Sequence, residues 1–396
     1  MLLHQASSLY GGKQCFAGRK GGHRLKVLIL SSATGGGHNA AAAAVREELE
    51  RRGIECSMEE GLRFASEKIS RRVCATYMGV ATHAPQFFYR LYRAGGAISN
   101  PRLKSPVYFA NRLYRQKLYD YITQNGFNAV VTTHLFSAEA LTSLRRRKKA
   151  PFYSVFVATD YTCIPFVEET ECDALVIPHE DLKEEFLRRG VPGENMYSFG
   201  IPVGAAFQEH RQTKEEARRI LGLPETLPMY LIMSGSMGFG HAGDLTEQIL
   251  HRVEDRAQIV ILCGKNESLL HELRQQFAQK SNVLPLPFTQ QVAQYMDAAD
   301  VLFTKPGGLT TSEAAAKNIP LVHTAPIPGC ETKNAEFFSS RGMSVVGENI
   351  EQEAELAVEL LQDREKREVM LRAQREHFHA DAAQRICDLL TEHVKP

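Results

Sequence analysis

The densest chemistry in the chain lies in Asp300–Phe338, DVLFTKPGGLTTSEAAAKNIPLVHTAPIPGCETKNAEFF. Lys305-Pro306-Gly307-Gly308 follows a short apolar run, Val301-Leu302-Phe303, and lets the backbone turn sharply and come close to a ligand. Thr310-Thr311-Ser312 then opens a helix, whose unpaired N–H groups and positive dipole end suit a diphosphate. Glu313, one turn in, can offer both carboxylate oxygens to a vicinal diol such as a ribose. A second turn, Pro326-Ile327-Pro328-Gly329, leads to Glu331 and to Asn334, whose amide can add a donor to the same pocket. Thr310-x-x-Glu313 is equally a capping box that needs no ligand. Spacing alone leaves both readings open, and glycine turns at two consecutive strand ends favour the ligand.

A proton acceptor is offered earlier. His38 follows Gly35-Gly36-Gly37 at the expected start of an Ala-rich helix from Asn39 to about Arg52. A loop histidine there has its pKa lowered by the dipole, which favours the neutral imidazole a general base requires. A histidine that merely caps the helix is the alternative. His134, after Ala129-Val130-Val131-Thr132-Thr133, and Asp160, after the run from Phe152 to Ala158, also sit at strand ends and are expected to face the same cleft. Asp160 is expected to orient the imidazole or bind the acceptor, against a bland role capping its own loop.

These residues need strands that end at one crevice, and the chain provides them. Leu25–Leu30 is a near-continuous apolar run, as in a parallel strand buried on both faces. The rhythm of strand, turn and helix recurs with Pro228–Met233 before Ser234-Gly235-Ser236-Met237-Gly238, and with Ile259–Leu262 before Cys263-Gly264. Gly37, Gly235, Ser236, Met237, Gly238 and Gly264 are therefore expected near a phosphate, and Phe288 is expected to stack on a nucleobase unless it is a core residue. The dinucleotide fingerprint G-x-G-x-x-G is not met after the first strand, which disfavours a nicotinamide or flavin enzyme. The fold class read from this is α/β, two doubly wound domains facing a cleft. The boundaries are a flexible extension over 1–24, a first domain over 25–208, a nucleotide-binding domain over 209–375, and a last helical segment over 376–396.

Net charge is +1, which suggests no general affinity for nucleic acid, but residues 61–120 hold eleven Lys or Arg against two Asp or Glu. Aromatics interleave with these cations. Phe87, Phe88, Arg90, Tyr92 and Arg93, then Tyr108, Phe109, Arg112 and Arg115, read as amphipathic helices or lids with basic rims. Three readings compete: an anionic lipid surface, a solvated face over core aromatics, and single-stranded nucleic acid, in that order. The eight cysteines show no zinc-like spacing, so reduced thiols are expected. No apolar run approaches the ~20 residues that span a bilayer, and the basic, Gly-rich N-terminus lacks the apolar core of a secretory signal.

KPGGLTTSEA and PIPGCETKNAEFF, with GGGH, TTH and TDY in order before them, resemble the motifs of the monogalactosyldiacylglycerol synthase and processive diacylglycerol glucosyltransferase family. That family is related to the lipid II N-acetylglucosaminyltransferase. The resemblance covers nearly the whole chain after residue 24. It implies the GT-B architecture, a UDP-sugar as donor substrate with no cofactor, and direct displacement that inverts the anomeric carbon. It also implies a lipid acceptor such as diacylglycerol, His38 at the acceptor hydroxyl, and a last helix that crosses back onto the first domain. The resemblance further places the basic, aromatic segment at lipid and membrane, hence an expected position on the inner face of the cell membrane. No two aspartates stand at D-x-D spacing, so no metal is expected. The sequence departs from the family at Cys330, where a Gln is usual, and around Cys163–Val167, where His and Trp are frequent and this stretch has neither. The sugar and the acceptor stay open. So do two other functions for this architecture: a UDP-sugar 2-epimerase, and a non-catalytic protein of lipid surfaces or nucleotides.

Overall fold

The computed structural model describes residues 24–394 apart from 33–34, 100–103, 148–149, 209–211, 236–240 and 325, and apart from the side chains of 77–78, 81–83, 85 and 88. The expected extension over 1–24 therefore lies outside the described residues except for Arg24. The first half of the chain runs β1 (Lys26–Ser31), α1 (Gly36–Arg51), β2 (Glu55–Glu60), α2 (Glu67–His83), α3 (Pro85–Ile98), α4 (Pro106–Asn111), α5 (Arg115–Gln124) and β3 (Ala129–Thr132). It continues through α6 (Leu135–Arg145), β4 (Tyr153–Val157), β5 (Ala174–Ile177), α7 (Lys183–Arg188) and β6 (Met196–Ser198). All six strands pair in parallel, in the order β2-β1-β3-β4-β5-β6. Val27, Ile29, Val131 and Val155 bury one face of this sheet, and Leu28, Leu30 and Val130 the other. Burial on both faces is why these strands are apolar throughout rather than alternating.

A bridge of α8 (Ala205–Gln208) and α9 (Lys214–Ile220) leads to the second half. There β7 (Met229–Met233), α10 (Ala242–Val253), β8 (Gln258–Leu262), α11 (Glu267–Gln276), β9 (Val283–Leu286), α12 (Val292–Ala298) and β10 (Val301–Thr304) alternate. They are followed by α13 (Gly308–Ala316), β11 (Leu321–His323), α14 (Cys330–Ser339) and β12 (Val345–Val346). The second parallel sheet has the order β12-β11-β10-β7-β8-β9. In each sheet the order reverses beside the first strand, between β1 and β3 and between β7 and β10. The carboxyl ends of strands at such a reversal are where open α/β sheets hold ligands.

Three helices close the chain: α15 (Ile350–Gln362), α16 (Arg364–His377) and α17 (Ala382–His393). The last leaves the second sheet and sets Ile386, Cys387, Leu389 and Leu390 into the core formed by β1 and α1. Arg52 ties it there, donating to the Asp388 carboxylate at 2.5 Å and to the Gln384 carbonyl at 3.1 Å.

The two sheets meet through a continuous buried surface. The Tyr161 ring lies 4.8 Å from Phe337 and 4.9 Å from Phe338, its hydroxyl shares a 2.8 Å hydrogen bond with Ser312, and Arg341 pairs with Asp181 at 2.7 Å. Closest of all is Gly308, where an added Cβ would lie 2.0 Å from the Thr159 carbonyl oxygen. Both atoms belong to backbone segments that cannot swing aside. Gly308→Ala is therefore expected to force the two halves apart at a cost of about 1–3 kcal/mol. Thermal unfolding of the variant should show a lower melting temperature, and an unchanged one would show that the contact is not close-packed.

Candidate active site

At the reversal of the first sheet, α1 begins at Gly36, earlier than the sequence suggested. Its cap, Gly35, makes no side-chain hydrogen bond, and no acidic residue stands in its first turn. The reason for the early start is an anchor: Thr133 at the end of β3 donates through its hydroxyl to the His38 carbonyl at 2.9 Å, fixing the first turn. At the reversal of the second sheet, α13 likewise starts at Gly308 rather than Thr310, after an uncapped Gly307. The proposed Thr310–Glu313 capping box is not formed. The two helix starts touch: the Cβ position of Gly37 is 3.5 Å from the Leu309 side chain. Two uncapped, positively polarised helix ends thus converge, an arrangement that attracts an anion.

His38 sits beside this junction, inside the first turn of α1 rather than on a loop. Its Nδ1 is 2.9 Å from the Thr133 carbonyl and 3.0 Å from the Thr159 hydroxyl. A carbonyl only accepts, so this contact places the proton on Nδ1 and leaves the lone pair on Nε2. Burial lowers the imidazole pKa, and the pull of Asp160 and of the Thr133 carbonyl in the other direction does not reverse it. A neutral ring with a free Nε2 is the form a general base needs. Asp160 does not hold this ring, contrary to one expectation. Its Oδ1 accepts from the Asn334 amide at 3.0 Å. His134 caps α6, its Nδ1 accepting from the Phe136 N–H at 3.2 Å, and meets His38 only edge-on at 4.6 Å between ring centres. The orienting role of Thr133 was not visible in the sequence, because every residue has a carbonyl.

The donor-side residues divide. Glu313 is buried and has no side-chain partner among the described residues; burial pushes its carboxyl up to about 8. Thr310 is half-buried near the helix start, whereas Thr311 is fully buried and bonds His323 at 3.2 Å, so it is a core residue and not a ligand. The two-residue shift in the helix start accounts for this, since each residue turns the helix by about 100°. Lys305 pairs with Glu331 at 3.1 Å, and Glu331 also accepts from the Ile327 N–H at 2.7 Å, so this pair braces the loop that carries Pro328 and Gly329. Asn334 is spent as well. It donates to Asp160 and to the Pro306 carbonyl at 2.9 Å, and it accepts from the Tyr161 N–H at 2.6 Å. It ties the two halves together rather than presenting a free amide. Gly235 and Gly264 adopt positive φ (72° and 61°) at the ends of β7 and β8, and Phe288 is 55% exposed with the Lys265 ammonium 5.6 Å from its ring. Ser236, Met237 and Gly238 lie outside the described residues.

His38 also lines a cavity of about 580 Å³, walled mainly by apolar groups such as Val73, Leu91, Phe136, Phe156 and Phe166, with Thr159, Asp160 and Cys330 among its polar lining. α2 and α3 form its outer wall. On α3, Phe87, Leu91 and Ile98 recur on one face and are 53%, 52% and 58% exposed. Arg90 and Arg93 are exposed beside them, as are Phe109, Arg112 and Leu113 at the end of α4. Three residues expected on this surface face inward instead. Tyr108 is 5% exposed, Arg115 donates to Ser143 at 3.1 Å, and Tyr92 turns toward Gly329. The side chain of Phe88 lies outside the described residues. Among the described residues no helix is long and apolar enough to cross a membrane.

Residues 38–203 match the monogalactosyldiacylglycerol (MGDG) synthase family, and residues 229–386 match the glycosyltransferase family 28 C-terminal domain. The first half of the chain thus carries an MGDG synthase domain and the second a glycosyltransferase family 28 C-terminal domain. Its processive diacylglycerol beta-glucosyltransferase relative from Staphylococcus carnosus is 38% identical over 184 residues, which spans 46% of each chain, about half the relative's length. The enzyme of that name from Bacillus subtilis is 26% identical over 341 residues, covering 85% of this chain and 87% of its own. Among solved structures, MurG of Acinetobacter baumannii superposes with a TM-score of 0.62 at 16% identity, covering 93% of this chain and 99% of that one, and shows the same GT-B fold.

The raised pKa of Glu313 has a checkable sign. A carboxyl that titrates near 4.3 in the unfolded chain and at about 8 when folded contributes stability that is fully present below the first value and is lost as pH rises to the second. Glu313→Gln removes that loss. The melting temperature of the variant relative to the native protein should rise between pH 5 and pH 8.5, and an equal difference at both would contradict a neutral buried carboxyl.

Proposed function

We propose that this protein transfers a hexose from a UDP-sugar to diacylglycerol or a related lipid at a membrane surface. The observation that carries the proposal is the placement of His38 between two kinds of space. It lines an apolar cavity, and it directly follows Gly37, where the starts of α1 and α13 touch. A lipid hydroxyl fits the first, and a diphosphate the second.

In this reading Glu313 accepts from the two ribose hydroxyls, an engagement that favours its ionised form, and Phe288 stacks on the base. Nε2 of His38 takes the proton of the acceptor hydroxyl as the oxygen attacks the anomeric carbon. The bond from that carbon to the diphosphate breaks, UDP leaves with the electron pair, and its charge is met by the N–H groups of the two helix starts. One displacement inverts the centre and gives a β-glycoside from an α-linked donor. The leaving charge is assigned to helix ends and not to a metal, in keeping with the lack of a D-x-D pair. Glucose is the first sugar to test, because the relatives named above are glucosyltransferases.

The exposed apolar stripe of α3, flanked by Arg90 and Arg93, and the Phe109–Leu113 corner with Arg112 would rest on an anionic lipid surface. Their charge complements such a surface, and Leu91 of the stripe also lines the cavity that would receive the acceptor. We place the protein peripherally on the inner face of the cell membrane, with no nucleic-acid partner.

The experiment is incubation with labelled UDP-glucose or UDP-galactose and vesicles containing diacylglycerol, with lipid products identified by mass spectrometry and the anomer by NMR. A β-glycolipid is expected, formed at the same rate in the presence of a chelator. His38→Ala should lower kcat by at least about a hundredfold while UDP binding persists. Absence of glycolipid with every lipid acceptor, or full activity of His38→Ala, would refute the proposal.

A further inference from the structure

The lipid-facing helix and the donor loop touch, and one side chain makes the contact. α3 meets the body of the protein along a narrow stripe of Tyr92, Gly95, Gly96 and Ser99, while its remaining described side chains from Gln86 onward are exposed. Gly95 is pressed against the Phe166 ring, and the Ser99 hydroxyl accepts from the Phe166 N–H at 2.8 Å. Those contacts stay within the first half of the chain. Tyr92 reaches across to the second. A Cβ placed on Gly329 would lie 3.4–3.6 Å from three atoms of the Tyr92 ring, and Gly329 holds a φ of 127° that a larger residue resists.

Gly329 is the cap of α14 and the centre of the Pro328-Gly329-Cys330 turn. The next residue, Glu331, is bonded to Lys305, which precedes the start of α13. A continuous series of contacts thus runs from Tyr92 through the turn and the Glu331–Lys305 pair to the helix start assigned above to the diphosphate. The adjacent face of α3 carries Phe87, Leu91 and Ile98, which are 53%, 52% and 58% exposed until a lipid covers them.

We propose that Tyr92 is a positioning residue for the donor loop, so that seating α3 on a lipid surface tightens nucleotide binding. By linkage, nucleotide must tighten lipid binding by the same factor. The proposal rests on the reading of the function given above. Tyr92 touches no reacting atom in it; the ring acts through the position of the Gly329 turn.

The test measures UDP affinity by calorimetry with and without phosphatidylcholine vesicles containing 30 mol% phosphatidylglycerol and no acceptor. Co-sedimentation of the same vesicles is then measured with and without UDP. Vesicles should raise the UDP affinity of the native protein on the order of fivefold, and UDP should raise vesicle binding equally. Tyr92→Phe should keep the linkage, because the hydroxyl has no hydrogen-bond partner among the described residues. Tyr92→Ala should bind each ligand separately with the linkage gone, which a merely structural loss would not produce. Equal UDP affinity with and without vesicles in the native protein, or undiminished linkage in Tyr92→Ala, would overturn the proposal and leave the glycosyltransferase reading intact. Failure of the native protein to bind vesicles at all would remove the membrane part of that reading and this proposal with it.

Discussion

The site depends on one fully buried amide. Asn334 holds the Pro306 carbonyl on its own half of the molecule, and on the other half it holds the Asp160 carboxylate and the Tyr161 N–H. Both its N–H groups and its oxygen are engaged, in a place where an unpaired polar group would cost about 1–3 kcal/mol. That cross-tie sets the distance between the end of β4 and the start of α13. With Gly308 lying on the Thr159 carbonyl, it brings His38 of one half to the anion-attracting helix start of the other. Neither half contains a complete site by itself.

Closure also determines the chemistry open to His38. Serine hydrolases orient their histidine with a buried carboxylate, which raises its basicity. Here the partner is a neutral carbonyl, with the Thr159 hydroxyl beside it, and the nearest carboxylate is occupied by Asn334. The ring stays uncharged and weakly basic. That suits the removal of a proton from an alcohol as it attacks a departing nucleotide's sugar, and it avoids placing a standing positive charge against an apolar cavity.

Much of this organisation could be read in the residues. Apolar runs such as Leu25–Leu30 and Val301–Phe303 announced parallel strands because both faces of each sheet are buried, and the glycine turns marked the strand ends that converge. The individual side chains were less readable. A helix start misplaced by two residues at α13 turned Thr311 outward on paper and inward in the fold. The aromatics of the basic segment gave no sign of which were core. Tyr108 and Phe109 are neighbours with opposite exposures, decided by packing against α6 that local pattern does not encode. The roles of Thr133, Tyr92 and Asn334 rest on partners distant in the chain, and only the assembled fold brings them together.

The return of α17 to the first sheet changes the mechanics of the molecule. The backbone passes between the halves twice, once through α8 and α9 and once between α16 and α17. A single tether would let one half tumble about the other in any direction. A pair of crossings acts like the two pins of a door, restricting opening to rotation about the line that joins them. The cleft between the halves can therefore gape and shut about that line, yet its two walls return to the same register each time without searching for it.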